Sequence, residues 1–550
     1  MKKDITMRKN TFIKGAFITS LGIIVSKILG ILYVVPFHAV IGDEGGALYG
    51  YAYTIYTLFM SLASAGIPLA ISKIVSEYQT LGYYNVKKRA FVIGKRISLL
   101  LGVVCFCFIF VFSPLLAKSI LGNVHGISSI EDVTFVIRVI ATAILVVPIL
   151  SVYRGYFEGH RFMSPPSISQ VLEQVIRVFI IIFGSFVALR FFHLSLASSV
   201  GIALFGATLG AFASYLYLLI KKMRNKSKFN EKIRKVNEPI ISDKTIIMKI
   251  IYYAIPFILI DIFKSIYNYV DMVTVVKGLV RFANYRAMDA EVIYSMLSTW
   301  AAKFNMIILS ISTGIIVSLI PNLTESIVRD NEKEVHKKIN QTLGILLYLT
   351  IPLTFGISFL AKAIWILFYG SSIYGPSILG YYIFAGLFVG LFTSLVTVLQ
   401  TLKDYKAVFI SLIMGVIVKI IFNCKFIIAF SKMKLPAYYG TITASIFGYL
   451  LSFILCLVFL RNKYHVNFEE TLKNFIDIMC SSILMILVLF ISRFLIPVYS
   501  NIRIMNLFII IAYGIIGMII YFVYSYKVGL MKRVFDKSSI NSLKKLFIRK

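Results

Sequence analysis

Asp261, Lys264, Asn268 and Asp271 follow one another at intervals of three, four and three residues. That is the rhythm of one helix face, because residues three and four apart stand above one another on a helix. The stretch that carries them, residues 247–276, is mostly apolar. A polar stripe on such a helix is costly against lipid, so it belongs to a cavity wall or to a contact with another helix. Gln170, Glu173, Gln174 and Arg177 form a second face of this kind within residues 166–189, with Glu173 four residues before Arg177, the favourable order for an ion pair. Lys419 and Asn423 repeat the four-residue step within residues 407–430, where no acidic residue accompanies them. Lys27 lies 15 residues into another apolar run, 12–36. That is roughly 22 Å along a helix, too deep for its stem to reach the surface comfortably.

Lys27, Arg177, Lys264 and Lys419 together suit an anionic ligand, with phosphate the natural candidate, since guanidinium and ammonium groups give charge-assisted hydrogen bonds to its oxygens. Asn268 adds a neutral partner on the same face as Lys264. Glu173, Asp261 and Asp271 would hold the cations while no ligand is bound. Pro256, just before the stripe, frees a backbone carbonyl and allows that helix to bend.

Other chemistries lack their residues. The sequence has no G-x-x-x-x-G-K-[ST] and no G-x-G-x-x-G after a strand, so no nucleotide cradle is expected. Its six histidines are scattered without H-E-x-x-H, and its five cysteines fall in apolar runs without C-x-x-C. No metal, cofactor or catalytic residue is therefore expected. A membrane-embedded glycosyltransferase is the alternative from another class. The longest outer loop, residues 277–300, holds Asp289 and Glu291, but also Lys277, Arg281 and Arg286, with no D-x-D. A multidrug exporter of cations would want acidic cavity walls, and these are basic.

The elements that must position these groups are membrane spans. Of 550 residues, 59% are hydrophobic and 15% charged, and the mean hydropathy is +0.86, values foreign to a water-soluble chain. At about 20 residues per span, the apolar runs give fourteen helices, the last two being 474–497 and 505–526. The expected fold is thus an all-α polytopic membrane protein. The apolar start is read as a first span and not as a cleaved signal peptide. With the N-terminus inside, 36 of the 57 basic residues fall on the cytoplasmic side, so the positive-inside rule puts both termini in the cytoplasm. The net charge of +33 is then orientation signal and anionic-lipid contact, with no nucleic-acid partner expected.

The basic segment 221–246 divides a six-helix lobe, 1–220, from a second, 247–460, leaving 461–550 for helices 13 and 14 and a basic cytoplasmic tail. An internal match supports the division. Ser64-Ala65-Gly66-Ile67 with Glu77 recurs as Ser312-Thr313-Gly314-Ile315 with Glu325, both at an offset of 248 residues. Both halves would start inside and form parallel repeats, with a cavity between two bundles.

From the first span to at least the twelfth, the chain resembles the lipid II flippases and the related polysaccharide exporters and stage V sporulation protein B, within the multidrug and oligosaccharidyl-lipid flippase superfamily. The likeness is carried by Ser26-Lys27-Ile28-Leu29-Gly30 and Pro36, then Gly42-Asp43-Glu44-Gly45. It continues with Ala65-Gly66-Ile67-Pro68-Leu69-Ala70-Ile71-Ser72-Lys73 and Glu77, Arg154-Gly155-Tyr156-Phe157-Glu158-Gly159, and Ser169-Gln170-Val171-Leu172-Glu173-Gln174 with Arg177. In the second half it includes Ile255-Pro256-Phe257, Asn268, Val270-Asp271 and Ser318-Leu319-Ile320-Pro321.

The resemblance implies a V-shaped, two-lobed transporter of the multidrug-exporter type that moves undecaprenyl-pyrophosphate-linked glycans between leaflets of the bacterial cytoplasmic membrane by alternating access. It also implies a groove for the lipid tail at helices 13 and 14, phosphate binding by Lys27 in the place of the family's first-helix arginine, and cell-wall synthesis proteins as further candidate partners. The sequence departs from the family at Tyr33 and Val34, where many relatives carry a second arginine. It departs again in the eleventh span, where Lys419 and Lys425 stand and sodium-coupled relatives have carboxylates.

Overall fold

The computed structural model describes residue 26 and residues 29–122, 124, 126–225 and 238–535. It is all-α, as expected, with no strand among the described residues. The helices are α1 (Val34–Ser64), α2 (Ile67–Leu81), α3 (Tyr84–Leu121), α4 (Ile130–Gly159), α5 (Ser164–Phe179), α6 (Ser185–Arg190), α7 (Leu196–Arg224), α8 (Asp243–Ala283) and α9 (Ala287–Ser295). They continue with α10 (Ala302–Val328), α11 (Glu332–Phe359), α12 (Ala361–Tyr369), α13 (Gly375–Thr401), α14 (Tyr405–Lys432), α15 (Tyr438–Tyr464), α16 (Glu469–Ser492), α17 (Arg503–Lys527) and α18 (Leu530–Val534).

Thirteen helical stretches among the described residues are long and apolar enough to cross a membrane. They match the second to fourteenth expected spans; most of the first, 12–36, lies outside the described residues. Helix is the form these sequences must take, because acyl chains offer backbone N–H and C=O groups no partners. Leu100, Val111 and Leu115 are each 65% exposed, an arrangement suited to lipid and not to water. Helix starts are closed by their own side chains. Ser129 Oγ accepts from Asp132 N–H, and the Asp132 carboxylate accepts from Ser129 N–H and O–H. Asn331 and Asp404 cap α11 and α14 in the same sense, each cap contributing about 1 kcal/mol.

Packing groups α1 to α9, apart from Arg281–Asn284, into one compact unit, and those four residues with the described residues from Met296 to 535 into a second. Helix α8, expected to open the second lobe, thus packs with the first unit. Its early turns supply the reason: Ile246, Ile250 and Ala254 join a buried core with Ile71, Ile74, Val75 and Phe91. Ion pairs reinforce this end. Lys249 Nζ lies 2.6 Å from Glu77, Arg89 pairs with Asp243, and the Glu238 carboxylate accepts from the N–H groups of Asn85 at 3.0 Å and Val86 at 3.3 Å. Helix α8 runs unbroken through Pro256.

The matched tetrapeptides adopt different backbones. At Gly66 (φ 74°) the chain leaves the helix before α2 begins, with Pro68 in its first turn, whereas Gly314 sits inside the continuous α10. The difference follows from Pro68, which cannot donate an N–H to the preceding turn. No proline follows Gly314 until Pro321.

Candidate anion site and lipid cleft

In the first unit the expected polar face lies on α5, and Glu173, 9% exposed, is its hub. One carboxylate oxygen accepts from Arg154 Nη2 of α4 at 2.8 Å, and the other accepts from Arg177 Nη2 one turn along α5. Arg154 Nε also donates to Ser169 Oγ at 3.0 Å. Two guanidinium groups therefore share one carboxylate and leave a net positive charge. Arg177 Nε is buried without a hydrogen-bond partner among the described residues. A buried donor on a half-neutralised cation is what an oxyanion can use. Tyr49, Tyr53 and Tyr56 of α1 are close enough to Arg177 to interact with it electrostatically.

Helix α7 holds α5 in this position. A Cβ on Gly210 would stand 2.7 Å from the Glu173 carbonyl oxygen, and Ser214 Oγ donates to the Ser169 carbonyl at 2.7 Å. Arg154 is the member that helical spacing does not single out. It lies 19 residues from Glu173 on a different helix, so only the fold joins them.

The second stripe does share a face of α8. Lys264 Nζ and Asp261 form a loose pair at 3.9 Å, with side chains 35% and 49% exposed; Asn268 is exposed and Asp271 half-buried. Next to Lys264, the buried Ser265 places its Oγ 3.1 Å from Ser61 Oγ of α1. Helix α1 thus borders both Arg177 and the α8 stripe. Lys27 lies outside the described residues. Gly30, three residues later in the sequence, approaches the same face of α5: a Cβ there would sit 3.6 Å from Gln174 Nε2.

Lys419 departs from expectation. It is fully buried on α14 in the second unit, where its ammonium donates to the Thr441 carbonyl at 3.0 Å and to Ser445 Oγ at 2.6 Å. Thr441 Oγ1 in turn donates to Asn423 Oδ1 at 2.9 Å. The four-residue face is real, but α15 covers it and offers dipoles to the cation. A ligand has no open approach to it, and Lys419 is a link between helices. In the expected outer loop, Glu291 is fully buried and accepts from Ser128 N–H at 3.1 Å and O–H at 2.8 Å, while Asp289 pairs with Arg286 at 2.8 Å. The second Glu291 oxygen, Oε1, is buried without a hydrogen-bond partner among the described residues.

The second unit also contains an apolar cleft of about 440 Å³ between α11, α16 and α17, walled by Tyr348, Pro352, Leu353, Leu489, Tyr513 and Tyr521 among others. Gly356 and Gly514 border it, and a Cβ on either would meet no heavy atom within 4 Å. Width at the cleft thus depends on missing side chains. Helices α16 and α17 are the thirteenth and fourteenth expected spans.

The polysaccharide biosynthesis protein family matches residues 12–326. Lipid II flippase MurJ of Bacillus subtilis (strain 168) is 30% identical over 535 residues, 96% of this chain and 97% of that one. Stage V sporulation protein B of the same organism is 31% identical over 214 residues, 39% of each chain. Among solved structures, lipid II flippase MurJ in an inward closed conformation superposes with a TM-score of 0.63 at 16% identity, covering 92% of this chain and 98% of that one. An inward-facing multidrug resistance MATE family transporter of the MOP superfamily does so with a TM-score of 0.61 at 13% identity, covering 80% and 94%. The likeness carried by the short motifs thus extends along nearly the whole chain, and the protein belongs to the polysaccharide biosynthesis protein family as a relative of lipid II flippase MurJ.

Proposed function

We propose that the protein is a flippase that carries lipid II, an undecaprenyl-pyrophosphate-linked peptidoglycan precursor, from the inner to the outer leaflet of a bacterial cytoplasmic membrane, with both termini in the cytoplasm. The observation that carries this reading is the shared carboxylate of Glu173, which holds Arg154 and Arg177 together while Arg177 Nε has no acceptor among the described residues. A pyrophosphate displaces Glu173 from Arg177 and gains charge-assisted bonds. Lys27, Lys264 and Asn268 complete the headgroup contacts, and Asp261 and Asp271 hold the α8 stripe when no cargo is bound. The apolar cleft of the second unit suits a polyprenyl chain by its lining, each buried methylene contributing about 0.8 kcal/mol.

Cargo binding exchanges internal ion pairs for phosphate pairs. In doing so it biases two lobes, expected at residues 1–220 and 247–460 but with α8 packed on the first, between inward and outward openings. A cation that moves through the membrane field adds about 2.3 kcal/mol per 100 mV. The protein is on this reading a transporter and not an enzyme, working beside cell-wall synthesis proteins. Complementation tests it: a bacterial host is depleted of its essential lipid II flippase, and wall precursor at the outer face is measured. This chain restores it and its Arg177→Ala variant does not. Failure of the normally expressed wild-type chain refutes lipid II as cargo and leaves another polyprenyl-linked oligosaccharide.

A further inference from the structure

A second, much smaller cleft, of about 70 Å³, lies in the second unit where α11 and α16 begin and α18 folds against them. Lys337, Asn340, Glu470, Asn474 and Arg533 line it. The polar first turns of α11 and α16 give way to apolar runs at this level, the depth at which lipid headgroups meet a membrane protein. Asn474 is only 4% exposed, and its Oδ1 has no hydrogen-bond partner among the described residues. A buried acceptor left unmatched costs free energy, so a donor is called for. Asn340 cannot supply it, since its Nδ2 donates to the Asn467 carbonyl at 2.8 Å. Arg533 is turned to Asp477, with its Nη2 2.5 Å from that carboxylate.

The cleft therefore offers both signs of charge. Lys337 and Arg533 are its cations; the Glu470 carboxylate and Asn474 Oδ1 are its acceptors. An anion meets only the first pair and a simple cation only the second. One turn beyond Gly344, which also lines the cleft, Tyr348 begins the wall of the large apolar cleft.

We propose that this cleft binds the headgroup of phosphatidylethanolamine, with the phosphate on Lys337 and Arg533 and the primary ammonium on Glu470 and Asn474 Oδ1. The three N–H donors of the ammonium match three acceptor oxygens, two of them on the charged Glu470 carboxylate. A choline headgroup has the same charge but no N–H. A glycerol headgroup has hydroxyl donors but no charge for Glu470. This site is separate from the Glu173 cluster and stands whether or not the protein carries lipid II.

Native mass spectrometry of the full-length protein, with phosphatidylethanolamine, phosphatidylglycerol or phosphatidylcholine added singly to the micelles, tests it. Phosphatidylethanolamine is expected to be retained about tenfold more than phosphatidylcholine, the equivalent of one charge-assisted hydrogen bond. Glu470→Gln, at an exposed position, and Asn474→Leu should each bring it down to the phosphatidylcholine level. The exposed variant keeps the test valid if the buried one fails to fold. Equal retention of the three lipids, stronger retention of phosphatidylglycerol, or undiminished phosphatidylethanolamine in Glu470→Gln overturns the proposal.

Discussion

Replacing Glu173 by Gln should make the protein bind pyrophosphate more tightly and transport it more slowly. Glu173 accepts from Arg154 at 2.8 Å and from Arg177, in a site where it is 9% exposed and solvent screens little. If cargo takes Arg177 by displacing this carboxylate, part of the binding free energy is spent on breaking that pair. A hydrogen bond to a charged group contributes about 1.5–3 kcal/mol. Since 1.4 kcal/mol is a factor of ten in affinity, Glu173→Gln should strengthen binding by about tenfold to a hundredfold. The neutral amide still fills the same space and can accept one weak bond, so the fold survives, with a lower melting temperature because two guanidinium groups now face each other unscreened. Turnover falls, because release is helped by Glu173 reclaiming Arg177. Titration calorimetry of the purified protein with farnesyl pyrophosphate, and with farnesol as the uncharged control, measures the change. Unchanged or weaker pyrophosphate binding in a folded variant would refute the exchange of ion pairs.

Gly514→Phe should narrow the apolar cleft, where a Cβ at this position meets no heavy atom within 4 Å; the preference for long-chain over short-chain polyprenyl pyrophosphates should disappear while inorganic pyrophosphate binds as before. Lys419→Met should lower stability by about 1–3 kcal/mol through lost bonds to α15, yet leave farnesyl pyrophosphate binding intact. A loss of binding like that of Arg177→Ala would return Lys419 to the ligand site. Burial pushes the Asp404 carboxyl up, but Lys463 at 2.7 Å, the Ala407 N–H and the Tyr464 hydroxyl together hold it below its ordinary value. A depressed carboxyl stabilises the fold at neutral pH and loses that contribution as pH falls through the lowered value. The stability gap between wild type and Asp404→Asn, about 1 kcal/mol because Lys463 is well exposed, should therefore close in acid, as followed by fluorescence-detected unfolding.

The helices were legible because lipid imposes one rule on every span, and apolar runs of about 20 residues state it directly. The Glu173–Arg177 face was legible for the same local reason, four residues being one turn. Arg154 was not, because its partner is 19 residues away and helical periodicity is silent about which helix lies alongside. Lys419 illustrates the same limit from the other direction. Its spacing from Asn423 defines a face, but only the neighbouring Thr441 and Ser445 decide that the face is covered. Gly66 and Gly314 share flanking residues, and the proline two positions beyond Gly66 makes one a break and leaves the other inside a helix.

Gly210 bears on the arginines although it carries no charge and touches no ligand. With its hydrogen alone between α7 and the Glu173 carbonyl, the gap between the two helices has no room for a methyl. One added methyl would wedge the backbones apart, carrying the carboxylate and with it the grip on both guanidinium groups. The tolerance of the anion site is in this way set by an atom that no charge map would mark, and a substitution invisible to electrostatics can detune it by tenths of an ångström.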